Sequence, residues 1–414
     1  MNIHSNAQFS GFEWILIDLA SRYGHDKLPF EDRLSFGSEL IHLFKVDTLE
    51  KLKENIAPWL KEADEPEMFA GCCIALWDAY RGVSSTWQVG QDAASSGPAL
   101  LSVLLGCEIG MENTGVIGKR VPDLYKSIGE NMGVTTERDK IKKATVPHVY
   151  GSEAVPKAIW GNAYQTFVNA YAETVPMAEL AKNMMINAWC SSADAHEWDL
   201  PDGAIAHIKV LNVEKKRGYP LGKHTYTYQY SVIGTKKQGE QGTKSISANH
   251  VHSFDGYMLR ELNRRCNYSM VQVEKAVSIL TKKIYVGIPC KQLQRLESLY
   301  KRFNQVSVVA LEYITEDTVI NLSDGYKEKL LRILTDMGDY PSFEVKNIHD
   351  EFLCLPNHIN RMKYWYQELL VEAYKSTWWS DTYSRLVGED HSYLNDEPRP
   401  EIIQAIREAQ YAIN

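Results

Sequence analysis

This sequence predicts a helix-rich α+β fold, on two observations. Most of the 414 residues fall in stretches whose apolar positions recur at helical spacing. Strand-like stretches are few, short and far apart: Ser84 to Gly90, Ala204 to Val213 with His224 to Ile233, and Phe343 to Ile348 with Phe352 to Leu355. A chain of this length buries a large core and divides into two or three subdomains. The hydrophobic fraction of 44% and charged fraction of 24% place it among ordinary globular proteins. No apolar run approaches the roughly 20 residues of a membrane span, and the first residues lack a signal-peptide pattern. Seven cysteines without a CxxC pair read as buried small hydrophobes of a reducing compartment, so a cytoplasmic protein with no membrane partner is expected.

Taken in order, Phe9 to Phe44 reads as helix broken at Pro29. Thr48 to Lys61 is amphipathic, and Met68 to Ala79 is apolar. Val121 to Met132 is helical, with Asp123 near its start, and Glu153 to Ala188 returns to helix. Pro201-Asp202-Gly203 is a turn signal. A helix is expected to end near Arg265, with two more near Val271 to Lys283 and Lys291 to Phe303, then a strand-like Val306 to Tyr313. Tyr364 to Tyr383 is a long aromatic-rich helical stretch, and a last helix starts near Glu401.

Three stretches carry chemistry. In Gln91 to Gly97, Asp92 sits at the mouth of a strand, Ser95 or Ser96 can cap the next helix, and Pro98 suits its first turn. A carboxylate there either caps a turn or holds a hard cation with the following carbonyls in reach. In Thr135 to Gly151, Arg138 and Lys142 share one helix face and Tyr150 lies two turns on. Such a pair suits a triphosphate and the aromatic a base and sugar; a solvated charged helix has the same spacing. Pro147 should kink or end that helix. Between Gly203 and Ser247, eight Lys or Arg face two acids inside a chain of net charge −8. The total argues against a general nucleic-acid coat, whereas the local excess allows a hairpin tipped by Lys215, Lys216 and Arg217 to enter a DNA groove. Tyr226, Tyr228 and Tyr230 would share one face of it; a half-buried ribbon with a solvated tip fits the same pattern. His349-Asp350-Glu351 joins the last two strands, which puts Asp350 on a hairpin tip.

The order of motifs resembles the single-subunit, phage-type DNA-dependent RNA polymerases, a family that includes the mitochondrial enzymes. The motifs are Asp-x4-Gly (Asp92, Gly97), Arg-x3-Lys-x7-Tyr-Gly (Arg138, Lys142, Tyr150, Gly151), His-Ser-x-Asp-Gly (His252 to Gly256) and His-Asp (His349, Asp350). Phe12 to Leu34 and Pro201-Asp202-Gly203 agree with the family's flanks, and the likeness covers most of the chain outside 266–339. It implies a right-hand palm and fingers with a small antiparallel palm sheet: residues 1–112 as the first part of the palm, 113–200 as fingers, and 201–247 as the basic hairpin. Residues 248–265 would be a palm helix, 266–339 an insertion, and 340–414 the second part of the palm.

By that resemblance Asp92 and Asp350 hold two Mg²⁺ ions, helped by the Ala93 carbonyl. Arg138 and Lys142 take the triphosphate, with Lys142 as proton donor to pyrophosphate. Tyr150, Gly151 and Gly97 surround the incoming sugar, and His252 contacts the nucleotide or hybrid. Gly97 stands where related DNA polymerases carry a glutamate that crowds a 2′-hydroxyl, which implies ribonucleotides, whereas Glu351 after Asp350 looks more like the DNA enzymes. The implied partners are template DNA, RNA transcript and ribonucleoside triphosphates.

The chain departs from the family in lacking any Gly-Arg dipeptide and the elements that precede the palm, so thumb and N-terminal domain are expected to be missing. In this it is similar to the larger subunit of the two-subunit RNA polymerases of enquatrovirus-type phages, acting in the cytoplasm of the infected host. A smaller subunit would then supply the missing parts. Phe9, Phe12, Trp14 and Ile15 are the expected association surface, and 266–339 a second contact or a dock for a phage DNA-binding recruitment protein. Two other classes compete. A metal-dependent hydrolase would use His250, His252, His349 and Asp350 as ligands, and a non-catalytic polymerase-like subunit would only bind DNA. A zinc-protease helix fails on spacing, because His196-Glu197 lacks its second histidine.

Overall fold

The computed structural model describes residues 8–414 apart from 211, 222–223, 233–242, 283–285, 349 and 395–396, and describes only the backbone of 212–221, 224–232 and 243–244. Helices dominate, and three small antiparallel sheets lie among them: β1 (Val89–Asp92), β7 (Glu351–Cys354) and β6 (Lys346–Ile348) in that order, β2 (Ala195–Asp199) with β3 (Ile205–Lys209), and β4 (Asn212–Leu221) with β5 (His224–Val232). This is the expected helix-rich α+β class. No helix among the described residues is long and apolar enough to cross a membrane.

The first helix, Gly11–Ala20, starts on a capping box in which Ser10 and Glu13 satisfy each other's backbone N–H groups. Its apolar residues do not form a free association surface. Phe9, Trp14 and Ile15 are buried, and Phe12 packs against the core. Trp14 and Phe30 meet edge to face at 5.3 Å, and Trp14 Nε1 donates to Asn360 Oδ1 at 2.9 Å, so the Ile359–Tyr374 helix covers them. That corrects the expectation for the N-terminal segment: another part of the same chain uses this face.

The 266–339 segment is likewise built into the core. Leu293, Phe303, Leu330, Leu334 and Met337 join the main apolar cluster. At its root Arg265 is fully buried and forked onto Glu372, with nitrogen–oxygen distances of 2.7 and 2.8 Å. Val306 to Tyr313 has strand-like composition but contains a 3-10 turn at Val308–Glu312. Glu261 explains the difference. Its carboxylate accepts from the Val308 N–H at 2.8 Å and the Ser307 hydroxyl at 2.7 Å, so a side chain replaces a strand partner.

Two further expectations fail on strand pairing. The 205–209 strand does not pair with 224–232; its partner is β2, whose alternation buries His196 and Trp198. Lys215, Lys216 and Arg217 do not tip a hairpin either. They lie inside β4, opposite Gln229, Tyr228 and Thr227; their side chains, and those of Tyr226, Tyr228 and Tyr230, lie outside the described structure. Ser84 to Gly90 becomes strand only from Val89.

Candidate active site

A short sheet sets the floor of the site. In β1, Val89 and Gln91 turn into the core and Asp92 turns out; in β7, Phe352 and Cys354 do the inward packing. The register places Asp92 opposite Glu351, and Asp350, the residue before Glu351, therefore lies beside Asp92. A backbone bond fastens them: the Ala93 N–H donates to the Asp350 carbonyl at 3.3 Å. On the other edge, Asp92 exchanges backbone bonds with Asn414 at 2.9 and 3.0 Å, and Ala93 bridges to Ile413. Two carboxylates 258 positions apart in sequence thus share one edge of a three-stranded sheet.

A third carboxylate comes from the Thr243–Cys266 helix, where His252 and Asp255 are three apart and share a face. Asp92 is reached by solvent from the cleft but walled by protein, and this desolvation, then Asp350 and Glu351, push its pKa up to about 6. Burial, with Asp350 second, pushes Asp255 up to about 6 as well. Neither Asp92 nor Asp350 makes an ion pair among the described residues. The cleft in front of them holds about 550 Å³ and is also lined by Arg22, Lys27, Arg33 and Glu351.

The Arg138–Val149 helix runs through Pro147 instead of ending there. His148 holds its far end: Nε2 lies 3.0 Å from Glu179 and 2.9 Å from Lys182 in a buried cluster, with Phe167 and Tyr171 against the ring. That anchoring outweighs the bond lost at proline. Gly151, at φ 86°, then turns the chain in a conformation that favours glycine. Tyr150 lands against Gly97, where an added Cβ would lie 3.3 Å from Val149 Cγ1 and 3.5 Å from the Tyr150 hydroxyl. Its ring centroid is 4.5 Å from that of His252. Burial, then Asp255 and Asp350, push the Tyr150 hydroxyl up to about 12.

Arg138 reaches the site already engaged. Its Nε donates to Asp123 at 2.7 Å, and its guanidinium lies 5.4 Å from the Tyr125 ring. Lys142 makes no ion pair among the described residues, and its ammonium is 5.9 Å from the same ring. The sequence reading missed Tyr125, whose hydroxyl hydrogen-bonds Ser95. Ser95 does not cap its helix by side chain; it adopts φ 65°, ψ 64°. No periodic signal marks Tyr125, whereas Asp255 stood inside the His-Ser-x-Asp-Gly motif and was passed over.

Asp92 and Asp350 line the cleft together, while Gly97, Arg138, Lys142, Tyr150 and His252 are not among its lining residues. Tyr150 and His252 lie near enough to feel the Asp350 charge. Residues 6–170 match the family model of DNA-dependent RNA polymerase. The match indicates a nucleotidyltransferase and contains Asp92, Gly97, Arg138, Lys142 and Tyr150. No curated protein matches the chain.

Polymerases of this family use Mg²⁺, and the donor set fits such an ion on one test. Two carboxylates face a polar cleft, and neither makes an ion pair among the described residues, although Lys27 is near enough to Asp92 to act on its charge. No group of three or more His, Cys, Asp or Glu suited to a metal exists among the described residues. Mg²⁺ commonly takes one or two carboxylates and completes its shell with water and substrate phosphate, so two donors suffice. Among the described residues the hydrolase ligand set is not assembled. His250 is fully buried, packed on Trp378 at 4.5 Å and Trp198 at 5.4 Å with neither ring nitrogen bonded, and burial drives its pKa down to about 3. His349 lies outside the described residues.

Proposed function

We propose that this chain is the catalytic subunit of a phage DNA-directed RNA polymerase that joins ribonucleotides by template-directed, two-metal transfer in the host cytoplasm. One observation carries the reading: Asp92 and Asp350, 258 positions apart in the sequence, are side by side at one end of the β1–β7–β6 sheet, and Asp350 lies near enough to Tyr150 to raise its pKa. In this reading the sheet and the Thr243–Cys266 helix belong to the palm, and 113–200 forms the fingers.

Asp92, Asp350 and the Ala93 carbonyl would hold Mg²⁺, which when bound supplies activation of the transcript's 3′-oxygen and neutralisation of the leaving pyrophosphate. Lys142, which makes no ion pair among the described residues, orients the triphosphate and delivers a proton to the pyrophosphate oxygen. Arg138 shares its charge with Asp123 and so serves chiefly to place the phosphates. Tyr150, its ring tilted against His252 and seated on Gly97, closes the sugar side of the pocket. The absence of a Cβ at Gly97 is what leaves a ribose 2′-hydroxyl its space. The basic β4 strand binds DNA through Lys215, Lys216 and Arg217. A second polypeptide, a smaller polymerase subunit, grips template and transcript, and a phage DNA-binding protein brings the complex to its promoter.

Template-directed incorporation by the purified chain, with and without the products of neighbouring genes, tests this. Mg²⁺-dependent RNA synthesis that Asp92→Ala and Asp350→Ala both abolish is expected. Either variant keeping a substantial share of the activity would overturn the assignment. Processive transcription by the lone chain would refute only the second subunit.

A further inference from the structure

Glu351 is a carboxylate that this mechanism leaves unused, and its side chain is turned away from the pair that the mechanism employs. On the β1–β7 ladder Glu351 is directly opposite Asp92, on the same face of the sheet. Like charges so placed repel. Glu351 does not stay over Asp92. A Cβ added to Gly90, its diagonal neighbour two residues up β1, would collide with Glu351 Oε1 and lie 2.9 Å from its Cδ, so the carboxylate rests over Gly90. Arg22 Nη2 is 3.4 Å from that oxygen.

Arg22 is itself fixed before it reaches Glu351. Its Nε donates to Asp18 Oδ1 at 3.1 Å and its Nη1 to Glu65 Oε2 at 2.8 Å. Asp18, only 4% exposed, is held in turn by Trp87 Nε1 at 2.9 Å and the Cys72 thiol at 3.1 Å. The guanidinium thus occupies one place, set by a buried carboxylate and the π-helical turn Ser21–His25 that follows the first helix. Gly90 supplies the complementary gap, since any larger residue there would expel the Glu351 side chain.

We propose that Arg22 is a positioning residue that keeps Glu351 over Gly90 and out of the Asp92–Asp350 donor set, so that the sheet itself offers a metal two carboxylates and not a third from Glu351. This rests on the reading of Asp92 and Asp350 as metal ligands. A third carboxylate would raise affinity for divalent ions and fill coordination positions that triphosphate oxygens need. Arg22 and Gly90 hold that carboxylate in reserve by charge and by shape.

Binding of Mn²⁺ to the full-length chain, followed by the electron paramagnetic resonance signal of the free ion, tests this without relying on catalysis. Glu351→Gln should leave the affinity within about twofold of the parent, because the residue is not a ligand. Gly90→Ala keeps every charge yet dislodges Glu351, and should tighten Mn²⁺ binding by about three- to tenfold, as should Arg22→Gln. In either background, adding Glu351→Gln should remove the gain. Gly90→Ala meets only the flexible end of one side chain and is expected to fold even if Arg22→Gln does not. Weaker binding in Glu351→Gln alone, or unchanged binding in Gly90→Ala, overturns the proposal. Asp350→Asn separates the two readings. If it leaves Mn²⁺ binding intact, the metal site itself is wrong; if it abolishes binding while Glu351→Gln also weakens it, only the role given to Arg22 fails.

Discussion

On the floor of the cleft, Asp92 and Asp350 stand together with no ion-pair partner among the described residues; on the Arg138–Val149 helix, Arg138 is paired with Asp123, while Lys142 makes no ion pair among the described residues. The floor is tied by backbone bonds between strands, the helix by a buried His148–Glu179–Lys182 cluster. The contrast shows how to read charge in such a site. A charged group already neutralised by the protein contributes position, whereas one left without a counter-charge marks where a ligand supplies it. By that criterion the proposed function assigns a cation to the pair Asp92 and Asp350 and an anion to Lys142.

The largest effects should come from the floor. Asp92→Asn or Asp350→Asn should lower nucleotide incorporation by at least about 10³-fold, several kcal/mol of transition-state stabilisation. Stability should move the other way at position 92. The Asp92 carboxyl binds its proton more tightly in the folded chain, about 6 against an ordinary 3.8, so folding stability falls as pH rises across that interval and stays lowered above it. Asp92→Asn should therefore raise Tm by about 1–3 °C at pH 7.5 and leave it unchanged near pH 3. A thermal melt at the two pH values checks this, and a fall in Tm at pH 7.5 would mean that Asp92 is already neutralised.

The Arg138–Val149 helix should divide less steeply. Lys142→Ala should cost about 10²-fold in kcat, as loss of a general acid does. Arg138→Ala should cost only about tenfold, mostly in KM, because Asp123 already shares its charge. Asp123→Asn would sharpen the point, since a freed Arg138 should tighten triphosphate binding. Single-turnover kinetics on the three variants would expose the error if Arg138 proved the more costly loss.

Template binding should respond next. Neutralising Lys215, Lys216 and Arg217 together should flatten the dependence of log affinity on log salt by up to about three units. Because these residues lie along a strand, their effect should be spread over the ribbon, with no single dominant position. A salt titration of DNA binding that keeps its slope would leave β4 a structural ribbon. The smallest change concerns the sugar: Gly97→Glu should shift the preference between ribo- and deoxyribonucleotides by about tenfold toward the latter, since an added side chain must displace Tyr150. Unaltered discrimination would reduce Gly97 to a helix-start glycine.

Much of this was legible in the residues themselves. Helical periodicity located the Lys291–Phe303 helix at its ends, and the strand-like stretches Phe343 to Ile348 and Phe352 to Leu355 put Asp350 at the hairpin tip that joins them. These are local properties, set by spacing along a few turns or one hairpin, and local order survives without knowing what packs on it. The partner of each charge was not legible. Arg22 meets Glu351 across 329 positions, Phe9 and Trp14 are covered by a helix that starts at Ile359, and Glu261 satisfies a backbone N–H 47 residues away. The sequence by itself determined which residues carry charge and on which face of a helix or strand they stand. Only the tertiary structure decided which of those charges are neutralised, because an ion pair depends on a few ångströms between elements whose separation in the chain sets no distance in space.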